Sequence, residues 1–302
     1  MAQRLEIEGI AFDVVTEREV VAHIVVNAAA RQGGWVVTPN VDILVRSRRD
    51  PTLAAMVCSA EIVVADGMPI VWAARLARTP LPERVAGSDL LMSLAQAARD
   101  ESLSVSLIGG PPGAAELARA RLRSEIPGVA VVGALTPPFG FDATLGDISK
   151  IKAHLDADDP AIVFVGLGFP KQELLIRRLR QDYPHMWFLG IGGGIDMLSG
   201  QVLRSPGYLQ KLGLEWLYRL MQEPKRLARR YLADDVPFAL GMIMRALIRG
   251  LRRPVLVSSE PEPTSSPPLG SSPSAPLVPH PSLPLVSGVK HVGAGARPQP
   301  DA

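Results

Sequence analysis

Cysteine is all but missing: Cys58 stands alone, so no intrachain disulfide can staple the fold and nothing asks for an oxidising compartment. Charge of one sign is missing as well. A net charge of +2 over 302 residues lacks the basic excess that phosphate-backbone binding requires, which argues against a nucleic-acid partner. No apolar run reaches the ~20 residues of a membrane-spanning helix; the longest, Ala161 to Leu167 and Val236 to Met244, fall well short. The opening MAQRLEIEGI carries no basic-then-apolar leader, so a cytoplasmic protein able to touch a bilayer is expected. The five histidines are scattered without His-Glu-x-x-His or comparable spacing, and no metal or cofactor is expected. Neither Gly-x-Gly-x-x-Gly nor a P-loop occurs, which disfavours a nicotinamide enzyme or an ATPase.

What is there is a 47% hydrophobic chain, enough for one large core or two small ones, since single cores grow to roughly 250–300 residues. Leu5–Ile10 and Ala11–Val15 flank Gly9 as a short hairpin would, and a helix over Glu17–Arg31 follows. A repeating grammar then begins, in which a short β-branched run ends in a polar or Gly/Pro turn and a helical pattern starts. The instances are Trp35–Val37, Glu61–Val64, Val105–Ile108, Ala161–Val165 and Trp187–Leu189. Buried runs alternating with helices predict a mostly parallel sheet covered on both faces. Open sheets of this kind bind ligands beyond the carboxyl ends of their strands, so the five turns are where a site belongs.

From Arg204 the grammar stops. Residues 204–253 hold eleven Lys/Arg against four acidic residues, while everything before them is net negative. Leu214–Ala233 and Val236–Arg253 have helical periodicity, the second with Arg245, Arg249 and Arg252 on one face and Phe238, Met242, Leu247 and Leu251 apolar. The last 49 residues hold twelve prolines and nine serines and are expected to be disordered. The predicted organisation is a catalytic α/β domain over 1–203, a basic helical appendage over 204–253 and a tail over 254–302.

Asp66 follows a strand and precedes a helix at Pro69–Leu76, where it is either an N-cap or a general base. Thr38 and Asn40 leave the adjoining unit at the same edge; they could equally cap the helix Val41–Ser47. Gly109–Gly113, before the helix Ala114–Ser124, has the small residues of a phosphate cradle, although many such turns are glycine-rich for steric reasons alone. Lys171, Gln172 and Glu173 open a helix, where Glu173 serves as a first-turn charge. Asp196, after three glycines, is a cap or an acceptor for a base N–H. Arg84 has no obvious partner and is either solvated or a diphosphate ligand. Asp156-Ala-Asp158 mimics a metal-binding Asp-x-Asp, but it precedes a strand, at the wrong edge of the sheet, and reads as a solvated turn.

With these residues laid out, the chain resembles the WecG/TagA/CpsF family of bacterial glycosyltransferases, also called the N-acetylmannosaminyltransferase family. The resemblance rests on Thr38-Pro-Asn40, Ala65-Asp-Gly67, Glu83-Arg-Val-Ala-Gly-Ser-Asp89, Gly109-Gly110, Gly166-Leu-Gly-Phe-Pro-Lys-Gln-Glu173, Gly192-Gly-Gly-Ile-Asp196, Gly200 to Pro206, and Leu214-Glu-Trp-Leu-Tyr-Arg219 with Glu223-Pro-Lys-Arg226. It implies a Rossmann-like α/β fold and a metal-independent, inverting transfer from a UDP-sugar to an undecaprenyl-diphosphate-linked saccharide, in teichoic-acid, common-antigen or capsule pathways. It makes Asp66 the general base with Thr38 and Asn40 beside the donor sugar. Arg84 and Gln172 would line the pocket, Gly109, Gly110 and Asp196 would hold the nucleotide, and Arg219, Arg226 and Arg229 would close over the diphosphate. Arg204-Ser-Pro206 and Ile195 depart mildly from the family pattern. Peripheral contact with an anionic membrane at the inner face of the cell membrane is expected, and a homo-oligomer stays open. The rival readings are a catalytically inactive nucleotide-sugar-binding or membrane-scaffold protein and a doubly wound oxidoreductase.

Overall fold

The computed structural model describes residues 3–252 except 139, 144–145, 208 and 210–212. The chain divides into two units, Met1–Pro254 and Val255–Ala302; the tail expected to be disordered lies outside the described residues.

Strands β1 (Arg4–Ile7) and β2 (Ile10–Asp13) form the expected antiparallel hairpin. Its turn residues Glu8 and Gly9 both have positive φ, 51° and 83°, the hand that matches the twist of the flanking strands. Asp13 ties the hairpin to the rest of the fold: it accepts from the Val63 N–H at 2.8 Å and pairs with Arg4 at 2.8 Å.

Helix α1 (Glu17–Ala29) starts at a capping box, with Thr16 and Glu19 satisfying each other's backbone N–H groups. Beyond it lie β3 (Gly34–Val37), α2 (Val41–Arg49), α3 (Pro51–Cys58), β4 (Ile62–Val63), α4 (Met68–Leu76), α5 (Gly87–Asp100), β5 (Ser104–Gly109) and α6 (Ala114–Glu125). Next come β6 (Ala130–Leu135), α7 (Ser149–Asp158), β7 (Ile162–Gly166), α8 (Lys171–Asp182), β8 (Trp187–Gly190) and α9 (Gly194–Leu198). The six strands β3 to β8 form one sheet in the order β4-β3-β8-β7-β5-β6, each neighbouring pair parallel. Successive side chains alternate between its faces, and both faces are buried. Trp35, Val37, Val163, Val165 and Phe188 pack with α2, α3, α4, α7 and α8. Val36, Leu107, Ile162, Phe164, Trp187 and Leu189 pack on the other side with α1, α5, α6 and α9. The doubly covered sheet read from the alternating runs is therefore the fold, with every expected strand present. β6 is an addition that the sequence reading missed.

After α9 come α10 (Glu215–Gln222), α11 (Pro224–Arg229), a π-helical segment (Arg230–Asp235) and α12 (Val236–Arg252). The single helix expected over Leu214–Ala233 is thus broken. Pro224 lacks an N–H and cannot continue the ladder from α10, so it starts a new helix instead. α12 lies on α4, where Gly250 lets the two backbones touch; a Cβ there would run into the Leu76 carbonyl. Met242 and Ala246 of α12 enter the core, so these helices complete one face of the sheet's covering.

One expectation about charge is corrected. Asp156 and Asp158 sit in the last turns of α7 rather than in a solvated turn, and the Tyr183 hydroxyl donates to Asp156 at 2.7 Å. Arg245, on the basic face of α12, pairs with Glu8 of the hairpin at 3.0 Å.

Candidate functional site

All five glycine-rich or polar turns expected at the carboxyl edge are there, because parallel strands deliver every β-to-α turn to one side of the sheet. Asp66 stands three residues after the end of β4. Its own N–H is bound to the Pro39 carbonyl at 2.9 Å, which docks the β4 turn onto the β3 turn. The N-cap position of α4 is Gly67, with φ 154° and no side-chain cap bond, so Asp66 does not cap the helix. Its carboxyl is free of that task and 28% exposed.

Asn40 does act as a cap. Its Oδ1 accepts from the Ile43 N–H at 3.1 Å at the start of α2, leaving the amide nitrogen to meet anything else. Thr38 is buried, its hydroxyl donating weakly to the Gly190 carbonyl at 3.4 Å. Gly87 stands between Thr38 and Asp66: a Cβ on it would lie 3.2 Å from Thr38 Oγ1, and its N–H reaches the Asp66 carboxyl. The structure therefore brings Thr38, Asn40 and Asp66 to one rim.

Arg84, for which the sequence offered no partner, is the hub of a charge cluster. Its Nη1 donates to Glu215 at 3.0 Å and its Nη2 to Asp89 at 3.1 Å, while Asp66 Oδ1 lies 3.9 Å from Nη1. Asp89 is held from its other side by Arg204. Withdrawal from water pushes the Asp66 carboxyl up to about 6; Arg84 and the Gly87 N–H oppose the rise, and Glu215 and Asp89 add to it. Glu215 and Asp89 are the members that sequence reasoning missed. Asp89 lay within a quoted motif and Glu215 beside Trp216, but neither motif shows that they share one guanidinium.

A second focus forms around Gly110 and the turn 192–194. A Cβ on Gly110 would meet Ile195 at 2.8 Å and Asp196 Oδ1 at 3.4 Å; one on Gly193 would meet Arg219 Nη2 at 2.7 Å and Asp196 Oδ2 at 3.7 Å. Glycine is needed at both points for close approach, and Asp196 and Arg219 converge there. Among the described residues, the buried Nε of Arg219 has no hydrogen-bond partner. Gly109 is packed against Gly166 of the neighbouring strand, and the Gly110 N–H is taken by the Gly166 carbonyl at 2.9 Å. These two glycines shape the edge sterically, and the Gly110 amide is not free to cradle a phosphate.

Gln172 is buried beneath this turn. Its Oε1 accepts from the Gly192 N–H at 2.9 Å and its Nε2 donates to Glu173 at 2.8 Å, so it fixes the glycine turn. Glu173, expected as a first-turn charge, is wholly buried, and burial pushes its carboxyl up to about 7. Arg229 is placed elsewhere: it lines a cavity of about 490 Å³ with Asp42, Arg46, Arg49, Arg230 and Asp234, against α2. The Arg226 side chain lies outside the described residues.

One further grouping imitates a catalytic triad. The Ser106 hydroxyl is 3.2 Å from His154 Nε2, and His154 Nδ1 is 3.4 Å from Asp158. Ser106 has no exposed surface, so no substrate carbonyl can reach it. The set is a half-buried polar network between β5 and α7.

A family model described as the glycosyl transferase WecG/TagA/CpsF family matches residues 5–252 of this chain.

Proposed function

From the premise that the chain belongs to the WecG/TagA/CpsF family of glycosyl transferases, we propose an inverting, metal-independent transfer of a hexose or N-acetylhexosamine, of the UDP-N-acetylmannosamine kind, to an undecaprenyl-diphosphate-linked saccharide. The pathway is cell-surface polysaccharide or teichoic-acid synthesis. One observation carries the reading: Asp66 is released from capping, raised to about 6 and held out of hydrogen-bond reach of Arg84 at the carboxyl edge of the sheet. A carboxylate so tuned is a better base near neutral pH than an ordinary aspartate.

In the proposed step, Asp66 takes the proton of the acceptor hydroxyl as its oxygen bonds to the anomeric carbon. The bond from that carbon to the diphosphate breaks with its electron pair leaving on UDP. A single displacement inverts the anomeric centre. Arg219, over the glycine turn with its Nε unpartnered among the described residues, stabilises the departing diphosphate in the absence of a metal. Thr38 and Asn40 face the sugar, and Asp196 faces the nucleoside. Arg229 extends the positive surface from α11 on the α2 side, and Arg226 is the further basic residue of that helix's sequence assigned to the diphosphate.

The acceptor is lipid-borne, and we place the protein peripherally on the inner face of the membrane. Leu240, Met244, Ile248 and Leu251, spaced as one stripe of α12, are all exposed. Among the described residues no helix is long and apolar enough to cross a membrane.

The test is UDP release by the full chain with a lipid-linked acceptor analogue, after mass spectrometry has selected the donor from a panel of UDP-sugars. Asp66→Asn is expected to lower kcat by about 10²–10⁴ and leave donor affinity nearly unchanged, the loss typical of a general base. Undiminished turnover would remove the assignment.

A further inference from the structure

Asp66 and Arg84 form a loose ion pair that does not tighten into a hydrogen bond. The Nη1 to Oδ1 separation is 3.9 Å, against the ~2.7–2.9 Å of a charge-assisted pair. Both terminal nitrogens of Arg84 are engaged elsewhere, Nη1 by Glu215 and Nη2 by Asp89, and the side chain is only 15% exposed. Each charged group facing Asp66 comes from a different element: Arg84 from the segment before α5, Asp89 from α5 and Glu215 from α10. Arg204 reaches the cluster through Asp89. Glu215 is the contribution of the C-terminal helices, 131 residues from Arg84.

We propose that Glu215 is a positioning residue for the transfer: by docking with α10 it draws Arg84 away from Asp66, and so keeps the Asp66 carboxylate uncovered for the acceptor's proton. This rests on the reading of Asp66 as the base. Remove the Glu215 charge, and Nη1 turns to the nearest carboxylate left to it, which is Asp66. The pair then closes, covering the oxygen that must take the proton and lowering its basicity. A negative charge in the first turn of α10 also suits the helix dipole. That role alone would alter stability and leave the titration of Asp66 where it was.

The experiment is the pH dependence of kcat/KM for UDP release by the full chain. In Glu215→Gln the acid limb is expected to move down by about one pH unit, the size of effect an opposite charge has on a carboxylate. Turnover at neutral pH is expected to fall several-fold. Glu215→Asp, which keeps the charge, is expected to retain the acid limb of the unsubstituted protein. An acid limb that stays in place in Glu215→Gln overturns the proposal.

Should that variant turn over too slowly, the midpoint of Asp66 is read by carboxyl ¹³C NMR on Asp-labelled full chain, with Asp66→Asn as the assignment control; an unmoved midpoint again overturns it. Should it fail to fold, Asp89→Asn removes the other carboxylate on Arg84 and is expected to shift the limb in the same direction; a limb that does not shift overturns the proposal as well. If Asp66→Asn keeps full turnover, the base assignment falls. If Asp66→Asn is dead and the Glu215→Gln limb is unmoved, only this inference falls.

Discussion

Three buried or half-buried acids titrate out of their ordinary range, and each has a different consequence. Because burial raises Asp66 to about 6, kcat/KM is expected to fall tenfold per unit below that pH, with a midpoint displaced upward from an ordinary aspartate. Glu173 is raised to about 7, so the native state holds its proton where the unfolded chain has lost it. Stability from this group is therefore present at low pH and is lost as pH rises from the unfolded midpoint through the folded one. Comparing Tm for Glu173→Gln and the unsubstituted protein from about pH 5 to about pH 8 should show the balance moving toward the variant as pH rises. Asp235, likewise raised to about 7 chiefly by burial, adds to the same slope.

Gly190 constrains the same pair of side chains sterically. A Cβ there would stand 2.6 Å from Gln172 Nε2 and 3.0 Å from Glu173 Oε1. Gly190→Ala is expected to cost about 1–3 kcal/mol in chemical denaturation, as overpacking does, and to lower turnover by releasing the Gly192 turn. At this scale the sequence offered Asp66 as cap or base, and the structure removed the cap by placing Gly67 at the N-cap position of α4. The burial of Glu173 could not be read, because a first-turn glutamate looks the same whether α8 covers it or not.

Elements were legible where their signal was local. Five β-branched runs ending in Gly or Pro turns marked five strands correctly, but β6 was passed over. Its AVVGAL run is broken by Gly133, which is there because a Cβ would collide with Asp158 at 2.6 Å. The π-helical segment was illegible too; its extra residue per turn re-aims the chain so that Tyr231 and Asp235 are buried and Leu232 is 58% exposed. α12 presents two unlike faces. Gly250 and Met242 hold it to α4 and the core, so Gly250→Val is expected to lower Tm by prying the helices apart. Met244 and Leu251, 57% and 72% exposed, contribute little to that packing. Replacing both with Gln should leave Tm nearly unchanged while reducing co-sedimentation with anionic vesicles, if α12 is the membrane-contacting element.

For the whole molecule, the C-terminal helices are both a covering and a source of charge at the candidate site. A fragment ending at residue 203 is expected to melt below the full chain, since Met242 alone contributes about 1.5–3 kcal/mol of burial, and to release no UDP, since it lacks the Arg219 proposed to hold the diphosphate. Thermal melts and the UDP assay on that fragment check both. Composition, period and turn chemistry by themselves determined the layered α/β fold, the edge at which a site must lie and the motif residues on its rim, because strand and turn preferences act over a few residues. Which of those residues touch was decided only by the tertiary structure. Arg84 with Glu215, Gln172 with Gly192, and Arg219 with the glycine turn are contacts between separate elements. Their energy depends on distance and burial, quantities that have no value until the sheet has been assembled and the last helices have packed against it.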